Sequence, residues 1–342
     1  MALLWRPSKL APEHTSFWPK STPLEGLPAL VNRVAKVDWQ IWQQFWLDRG
    51  AVDLGAESWA EGTDPNWLWC LGLPMLSQAE QAIQAGERRL IGLNALPGCG
   101  KTTLGHWLES AAGSLGFALK VISIDDFYLP AEAMDRAMAG NPWGVPRALP
   151  GSHDIALMQR NLPAWKQGES VLMPRFDKAL REGRGDRCGE FLCDADVLIL
   201  EGWFLGCRPM ASSEPLASGS DHLMEPLRPE ELSYRMQIQE QLAHYIDVWD
   251  EVDCLWQLAA TDFNAPQQWK RQQEAAMKRN RGSGLDAAAI DDFIRMIQTA
   301  IPATSFTLNQ ASVVIDVDPD RRLRQIRVRP DQDSLSSDSL TG

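Results

Sequence analysis

Short apolar runs alternate with longer stretches of helical period along most of the chain. The apolar runs have the length of buried strands and lie at 90–94, 118–124, 196–200, 254–259, 313–317 and 323–328. Helix patterns lie at about 102–115, 229–249, 266–281 and 285–299. Strands that alternate with helices predict an α/β fold in which helices flank a central, mainly parallel sheet.

The N-terminal quarter differs in composition, because eight of the fifteen tryptophans fall within the first 69 residues. Asp38 can cap a helix on which Trp39, Trp42 and Trp46 share one face. We expect this face to pack on the main domain, with a surface for a partner as the alternative.

A second N-terminal helix is predicted from Ser77, because Ser77 and Glu80 have the spacing of a capping box. We therefore expect a Trp-rich helical extension at 1–87 and a main domain at 88–330. The polar residues at 331–342 predict a disordered tail.

Composition narrows the possible partners. The 342 residues include 33 Lys and Arg against 45 Asp and Glu, a net charge of −12, which disfavours nonspecific binding to nucleic acid or to anionic membranes. We find no apolar run of membrane-spanning length, no signal peptide, and six cysteines without CxxC spacing. These features predict a cytoplasmic protein with reduced thiols. They leave its oligomeric state open.

A glycine-rich segment between the first strand and its helix fits the phosphate-loop pattern GxxxxGK[ST], except that Ala replaces the first Gly. The residues expected to contact the nucleotide are Ala95, Leu96, Pro97, Gly98, Cys99, Gly100, Lys101, Thr102 and Thr103. Lys101 would reach the β- and γ-phosphates of ATP, and the Thr102 hydroxyl would ligate Mg²⁺. The pattern predicts nucleotide binding and leaves open whether Cys99 is a redox-sensitive thiol or only a small residue.

Carboxylates follow two of the predicted strands. Ligands bind at the carboxyl ends of parallel strands, so Asp125 is expected beside the γ-phosphate as general base or as a Mg²⁺ ligand. Asp126 could take either role or cap the following turn. Glu201 ends the strand at 196–200 and would hold Mg²⁺ through water, with a turn residue as the alternative.

Basic residues cluster in two segments of this acidic chain. In the first, Arg175, Lys178 and Arg187 are candidates for binding an anionic substrate, because cationic side chains match carboxylates. The second is a predicted helix whose residues Lys270, Arg271 and Lys278 would contact the nucleotide, with Gly282 and Gly284 as a hinge. A basic helix beside a glycine hinge is typical of a lid, here at about 266–284. A solvated surface is the alternative for both segments.

His153 and Asp154 follow a Pro-Gly-Ser turn and are candidates for substrate contact or for helix capping.

Several segments together resemble a known family. The strings ALPGCGKTTL, SIDDFYLP, LPGSHD, PRFDKALREGRGDR, EGWFLG and WKRQQE resemble the D-glycerate 3-kinases of photosynthetic organisms, within the uridine kinase/phosphoribulokinase/pantothenate kinase group. The resemblance covers about 88–300. It implies a P-loop NTPase fold, Mg²⁺, a lid, and the photorespiratory phosphorylation of D-glycerate, a small-molecule substrate, to 3-phosphoglycerate by ATP.

Carried over by position, the resemblance gives Lys101 and Thr102 as the phosphate-loop pair and Asp125 as the base. It places Arg175, Lys178 and Arg187 in the acceptor segment. Tyr128 belongs to the same SxDDFY motif and is grouped with Asp126 as a candidate acceptor contact.

Two other functions stay open. The first keeps the fold and changes the acceptor to uridine, pantothenate or a sugar phosphate. The second is a nucleotide-gated interaction protein whose partner surface is the Trp-rich N-terminal region.

Overall fold

The computed structural model describes residues 22–281 and 287–329. The strands are β1 (Arg89–Ala95), β2 (Leu119–Ser123), β3 (Val171–Asp177), β4 (Asp186–Cys193), β5 (Val197–Gly202), β6 (Cys254–Ala260), β7 (Val313–Val317) and β8 (Leu323–Val328). The helices are α1 (Leu27–Ala35), α2 (Trp39–Asp48), α3 (Leu73–Gln84), α4 (Lys101–Leu115), α5 (Ala131–Ala137), α6 (Ile155–Lys166), α7 (Pro229–Ala243), α8 (Ile246–Asp250), α9 (Ala265–Arg281) and α10 (Ala287–Thr299).

Six strands form one sheet in the order β2-β5-β1-β6-β7-β8. The first five are parallel and β8 is antiparallel to β7, which confirms the predicted α/β fold with a mainly parallel sheet. β1 lies between β5 and β6, with Leu93 opposite Glu201 and Trp256. β1 and β5 are apolar and almost wholly buried, because helices cover both faces of the sheet. Their carboxyl ends, with that of β2, bring the phosphate loop, Glu201 and Asp125 to one edge.

The six predicted strands of this sheet lie within two residues of their observed bounds, whereas three other expectations were wrong or incomplete. The basic segment at 173–187 belongs to a two-stranded antiparallel hairpin, β3–β4, that the sequence analysis did not predict. The single helix expected at 229–249 is two helices, α7 and α8. The Tyr245 side chain between them is fully buried.

The helix start predicted at Ser77 was also wrong. The helical path begins as a π-helical turn at Trp67–Gly72 and continues directly into α3, so Ser77 lies in mid-helix. Its hydroxyl oxygen accepts hydrogen bonds from the indole N–H groups of Trp42 and Trp46, at 2.9 and 3.1 Å. Ser77 therefore joins α2 to α3 and does not cap a helix.

The N-terminal helices pack in the same hydrophobic core as the sheet. Trp42 and Trp46 are buried, and Trp107 of α4 is fully buried where Gly72 approaches its ring so closely that a Cβ would lie 2.6 Å away. The Ile326 N–H of β8 donates to the Glu25 carbonyl at 2.9 Å. The described part of the predicted extension is thus built into the main domain.

No helix among the described residues combines the length and hydropathy that crossing a membrane requires. The tail predicted at 331–342 lies outside the described residues.

Candidate functional site

The phosphate loop links the end of β1 to the start of α4. Gly98 and Gly100 adopt φ values of 80° and 128°, a region that L side chains rarely enter. Lys101 begins α4, and its Nζ donates to the Ala95 carbonyl at 2.6 Å and lies 3.9 Å from Glu201 Oε2. Thr102, next in the helix, is exposed. The loop and the helix N-terminus together form an arrangement that suits an anion.

Cys99 is buried inside this loop and is 1% exposed. Burial raises the pKa of its thiol to about 11, although Lys101 and Arg321 act in the opposite direction. A buried, protonated thiol reacts slowly, so the geometry favours the small-residue interpretation of Cys99.

Asp125 lies in a 3₁₀ turn, Ile124–Phe127, directly after β2. Lys178 of the β3–β4 hairpin contacts it at 2.6 Å, from Nζ to Oδ2, and His153 Nε2 lies 4.0 Å from Oδ1. Burial alone would raise the pKa of Asp125, but Lys178 and His153 together bring it well below its usual value. Asp125 is therefore ionised at neutral pH and is only partly exposed, at 21% of its side chain.

Asp126 holds backbone groups. Its carboxylate accepts hydrogen bonds from the N–H of Ser123 at 3.1 Å and of Phe176 at 3.4 Å. Burial raises the pKa of Asp126. These bonds tie the turn that carries Asp125 to the hairpin that carries Lys178, so the geometry favours the turn-capping alternative for Asp126.

His153 is buried behind Asp125. Its Nδ1 lies 2.8 Å from the Tyr245 hydroxyl, which also accepts from the Gly151 N–H at 3.0 Å. A neutral imidazole whose Nδ1 accepts the Tyr245 proton carries its own proton on Nε2, the nitrogen that faces Asp125. Within the described part of the chain, Nε2 has no hydrogen-bond partner. Burial lowers the pKa of His153, which keeps the ring neutral at pH 7.

The other candidate acceptor residues are placed differently. Tyr128 is buried and its ring stacks on His153, with the ring centres 4.6 Å apart. Asp154 caps α6 by accepting from the Leu157 N–H and also pairs with Arg187 at 3.1 Å. Arg187 donates in addition to the Tyr128 carbonyl at 2.9 Å. Arg175 is exposed and covers the Phe191 ring on the hairpin.

Of the three basic acceptor candidates, Lys178 is thus the one that touches the predicted base. Arg181 and Arg184, further along the hairpin, both pair with Asp135 of α5.

Glu201 lies at the end of β5 with 13% of its side chain exposed, and burial raises its pKa. Among the described residues, no group of three or more His, Cys, Asp or Glu side chains is arranged as a metal site. Mg²⁺ at phosphates commonly uses one or two carboxylates, with waters and phosphate oxygens completing the shell. Thr102, Asp125 and Glu201 supply donors of that kind at one edge of the sheet, so they fit the ion.

The predicted lid corresponds to α9. Its residue Trp269 is fully buried, Lys270 Nζ contacts Glu274 at 2.6 Å, and Arg271 pairs with Asp291 of α10 at 3.0 Å. The side chain of Lys278 and the hinge glycines lie outside the described residues. Lid motion stays a prediction, and the buried Trp269 confines it to the part of α9 that follows.

Sequence reasoning missed Tyr245, Arg147 and Arg321. Arg147 donates to the carbonyls of Gly183 and Arg184 and so holds the turn of the β3–β4 hairpin, at 2.7 and 2.9 Å. Arg321, in the turn between β7 and β8, donates from Nε to the Gly98 carbonyl at 2.9 Å. None of the three belongs to a motif, and only the tertiary fold brings them to the site.

The part of the chain that carries most of these residues is similar to a known family. Residues 90–208 match the model of the Phosphoribulokinase / Uridine kinase family. They carry the phosphate loop, Asp125, the β3–β4 hairpin and Glu201. This part of the chain is therefore of phosphoribulokinase/uridine kinase type, a P-loop kinase fold.

Individual relatives are more distant. "D-glycerate 3-kinase, chloroplastic" of Arabidopsis thaliana is 30% identical over 247 residues, 68% of this chain and 51% of the relative. "Probable ATP-dependent kinase TDA10" of Saccharomyces cerevisiae is 27% identical over 252 residues, 66% of this chain and 81% of the relative. The chain thus spans about half the length of the Arabidopsis protein.

A solved structure supports the fold. The D-glycerate 3-kinase from Cryptococcus neoformans var. grubii superposes with a TM-score of 0.61 at 24% identity, covering 74% of this chain and 96% of that one.

Proposed function

We propose that the protein transfers the γ-phosphoryl group of ATP to the primary hydroxyl of D-glycerate and forms 3-phosphoglycerate. The observation that carries the proposal is the contact between Lys178 and Asp125, 2.6 Å apart at the edge of the sheet that also holds the phosphate loop. A base for a hydroxyl proton and a cation for a carboxylate are thereby placed side by side.

The nucleotide phosphates lie along the phosphate loop in this proposal. The backbone N–H groups at the start of α4 and the Lys101 ammonium bind them. Lys101 now donates to the Ala95 carbonyl, a weak partner that a phosphate oxygen can replace. Lys270 and Arg271 near the start of α9 are proposed to lie close to the transferring group, and Lys278 to approach it when the lid closes.

Lys178 is shared between Asp125 and the acceptor. Its exposed ammonium, at 57% of the side chain, attracts the glycerate carboxylate. As this second anion takes up part of the Lys178 charge, Asp125 becomes a stronger base and accepts the hydroxyl proton. The His153 ring packs behind this carboxylate, with Nε2 at 4.0 Å from Oδ1, and Arg187 fixes the Tyr128 backbone beside it.

Mg²⁺ would be held by Thr102 and Glu201, with Asp125 as a further donor, and would supply positive charge that stabilises the phosphate oxygens. Glu201 suits this role because burial raises its pKa, although Lys101 and Lys178 oppose this, and a bound divalent ion would stabilise its ionised form.

The relatives support the choice of acceptor, since both the Arabidopsis protein and the Cryptococcus structure carry the name D-glycerate 3-kinase. The family match itself favours a second candidate, a kinase of uridine or of a sugar phosphate. A nucleoside offers no carboxylate to Lys178, so the two differ in what that cation binds.

Coupled ADP release with Mg-ATP tests the proposal against D-glycerate, L-glycerate, uridine, pantothenate, ribulose 5-phosphate and no acceptor. Turnover with D-glycerate is expected, and turnover confined to another acceptor would overturn it. Asp125→Asn should lower kcat by about 10²- to 10⁴-fold. Asp126→Asn is the matched control; it weakens the turn and should lower stability more than kcat.

A further inference from the structure

Three side chains pack against or hydrogen-bond to the phosphate loop, and all come from beyond residues 90–208. They are Trp67 of the π-helical turn, Trp269 of α9 and Arg321 of the turn between β7 and β8. We call these three residues the loop brace.

Arg321 is the centre of the loop brace. Its Nε donates to the Gly98 carbonyl at 2.9 Å, and its Nη1 donates to Gln272 Oε1 at 2.6 Å. The guanidinium carbon lies 5.7 Å from the centre of the Trp269 ring. Arg321 also adopts φ 59°, a costly conformation for a side chain of its size. One guanidinium thus joins the phosphate loop and α9 to the turn between β7 and β8.

The two tryptophans fill the space against the glycines of the loop. A Cβ on Gly98 would lie 2.7 Å from Trp269 Cβ, and a Cβ on Gly100 would lie 3.1 Å from the Trp67 ring. Both indoles also donate hydrogen bonds to the turn between β7 and β8. Trp67 Nε1 donates to the Arg321 carbonyl, and Trp269 Nε1 donates to the Pro319 carbonyl, each at 2.7 Å.

We propose that the loop brace positions the phosphate loop and thereby sets the affinity for the nucleotide, without contacting the acceptor. A loop with two glycines at positive φ has many alternative conformations, and binding must otherwise select one of them. Arg321 fixes the peptide plane between Gly98 and Cys99, and the tryptophans block outward movement. The inference rests on the proposed function for the identity of the nucleotide.

The first test measures binding of MgADP by calorimetry, alongside KM for ATP and for D-glycerate. Arg321→Ala should weaken MgADP binding about tenfold, which is about 1.4 kcal/mol. KM for ATP should rise in parallel, and KM for D-glycerate should stay within about twofold. Arg321→Lys keeps the charge but cannot bridge Gly98 and Gln272, so it should recover only part of the affinity. Trp67→Phe keeps an aromatic ring and removes the N–H, and a smaller loss is expected.

The second test reports on the loop directly through Cys99. Cys188 is the exposed cysteine and the other five are buried, so the experiment uses a Cys188→Ser background. In Arg321→Ala, a thiol reagent should modify Cys99 at least tenfold faster than it does in the background protein. Peptide mass spectrometry assigns the modified cysteine. A residue that only stabilised the fold would not expose this one thiol selectively.

Matched controls remove similar groups away from the loop. Arg327→Ala breaks the pair between Arg327 of β8 and Asp316 of β7, and Trp42→Phe removes an indole hydrogen bond to Ser77. Neither should change MgADP affinity or Cys99 labelling.

Unchanged MgADP affinity and unchanged Cys99 labelling in Arg321→Ala would overturn the inference. If that variant does not fold, Arg321→Lys and Trp67→Phe decide by the same two measurements. A wild-type protein that binds no MgADP would refute the proposed function instead, and Cys99 labelling would still test the loop brace because it needs no nucleotide.

Discussion

At the scale of single residues, the chemistry depends on one shared cation. Lys178 is 53 residues away from Asp125 in the chain, and the β3–β4 hairpin brings the two into contact. The Asp125 charge raises the pKa of Lys178, and Lys178 lowers that of Asp125, so both groups are charged across the neutral range. At neutral pH, Lys178 can therefore bind an anion while Asp125 accepts a hydrogen bond from a hydroxyl, and neither group needs to change its protonation state first.

A pH profile tests this pairing. Removing the charge with Lys178→Met leaves burial as the largest effect on Asp125, so its pKa should rise. The acid limb of kcat/KM should then move to higher pH, because Asp125 acts as a base only when ionised. Lys178→Arg, which keeps the charge, should leave that limb in place. An acid limb at the same pH in Lys178→Met and wild type would contradict the assignment.

The same lowered pKa has a consequence for stability. The folded-state pKa of Asp125 lies below the unfolded value of 3.8, so the unfolded chain binds a proton first as pH falls. The contribution of ionised Asp125 to the free energy of unfolding is therefore complete above about pH 4 and is lost as pH falls towards the folded pKa.

At the scale of elements, Ser77 shows how one hydroxyl can join two helices. It accepts both indole N–H groups of α2 and donates to the Leu73 carbonyl of its own helix at 2.9 Å. Ser77→Ala would leave two buried donors without an acceptor, at a cost of about 2 kcal/mol or more in the free energy of unfolding. Urea denaturation measures this loss.

Ser114→Ala is the control for Ser77→Ala. Ser114 makes the same type of bond to the carbonyl four residues earlier in α4, but it is exposed. Its replacement should change the free energy of unfolding by no more than about 0.5 kcal/mol. Equal effects of the two substitutions would show that the indole bonds contribute little.

The elements also show what the sequence could and could not predict. The central strands β1, β5 and β6 are apolar runs, and burial on both faces makes such runs visible without knowledge of their neighbours. The β3–β4 hairpin carries mixed polarity, with Leu172 and Leu192 exposed opposite each other, so its pattern resembled a charged loop. Ser77 matched a capping box, yet tertiary partners took its hydroxyl.

The candidate site also divides into residues that a local motif identifies and contacts that only the tertiary fold creates. The phosphate loop, Asp125 and Glu201 could be predicted because each is a local motif attached to a strand end. Lys178 and His153 were also candidates, but their contacts with Asp125 could not be predicted, and Arg321 was missed, because the tertiary fold alone brings these side chains to the site. Arg187 illustrates the limit, because its charge predicted an anion contact and the fold pairs it with Asp154.

At the scale of the whole molecule, the N-terminal helices and the main sheet share one core. Trp107 of α4 is enclosed by Gly72, by the Leu54 carbonyl that accepts its N–H at 2.6 Å, and by the stacked ring of Trp59, 5.6 Å away between centres. On the opposite side, Ile326 of β8 bonds to Glu25. Removal of the N-terminal segment would expose both surfaces at once.

This shared core predicts that residues 87–342 do not fold alone. A chain cut before residue 87 should show no cooperative thermal unfolding, and co-expression with residues 1–86 should restore it, because the lost contacts are packing and hydrogen bonds that need no covalent link. Deletion of the exposed loop residues 211–215 is the control and should leave unfolding cooperative. If the truncated chain unfolds cooperatively and binds MgADP as tightly as the full chain, neither the shared core nor Trp67 in the loop brace is required for the nucleotide site.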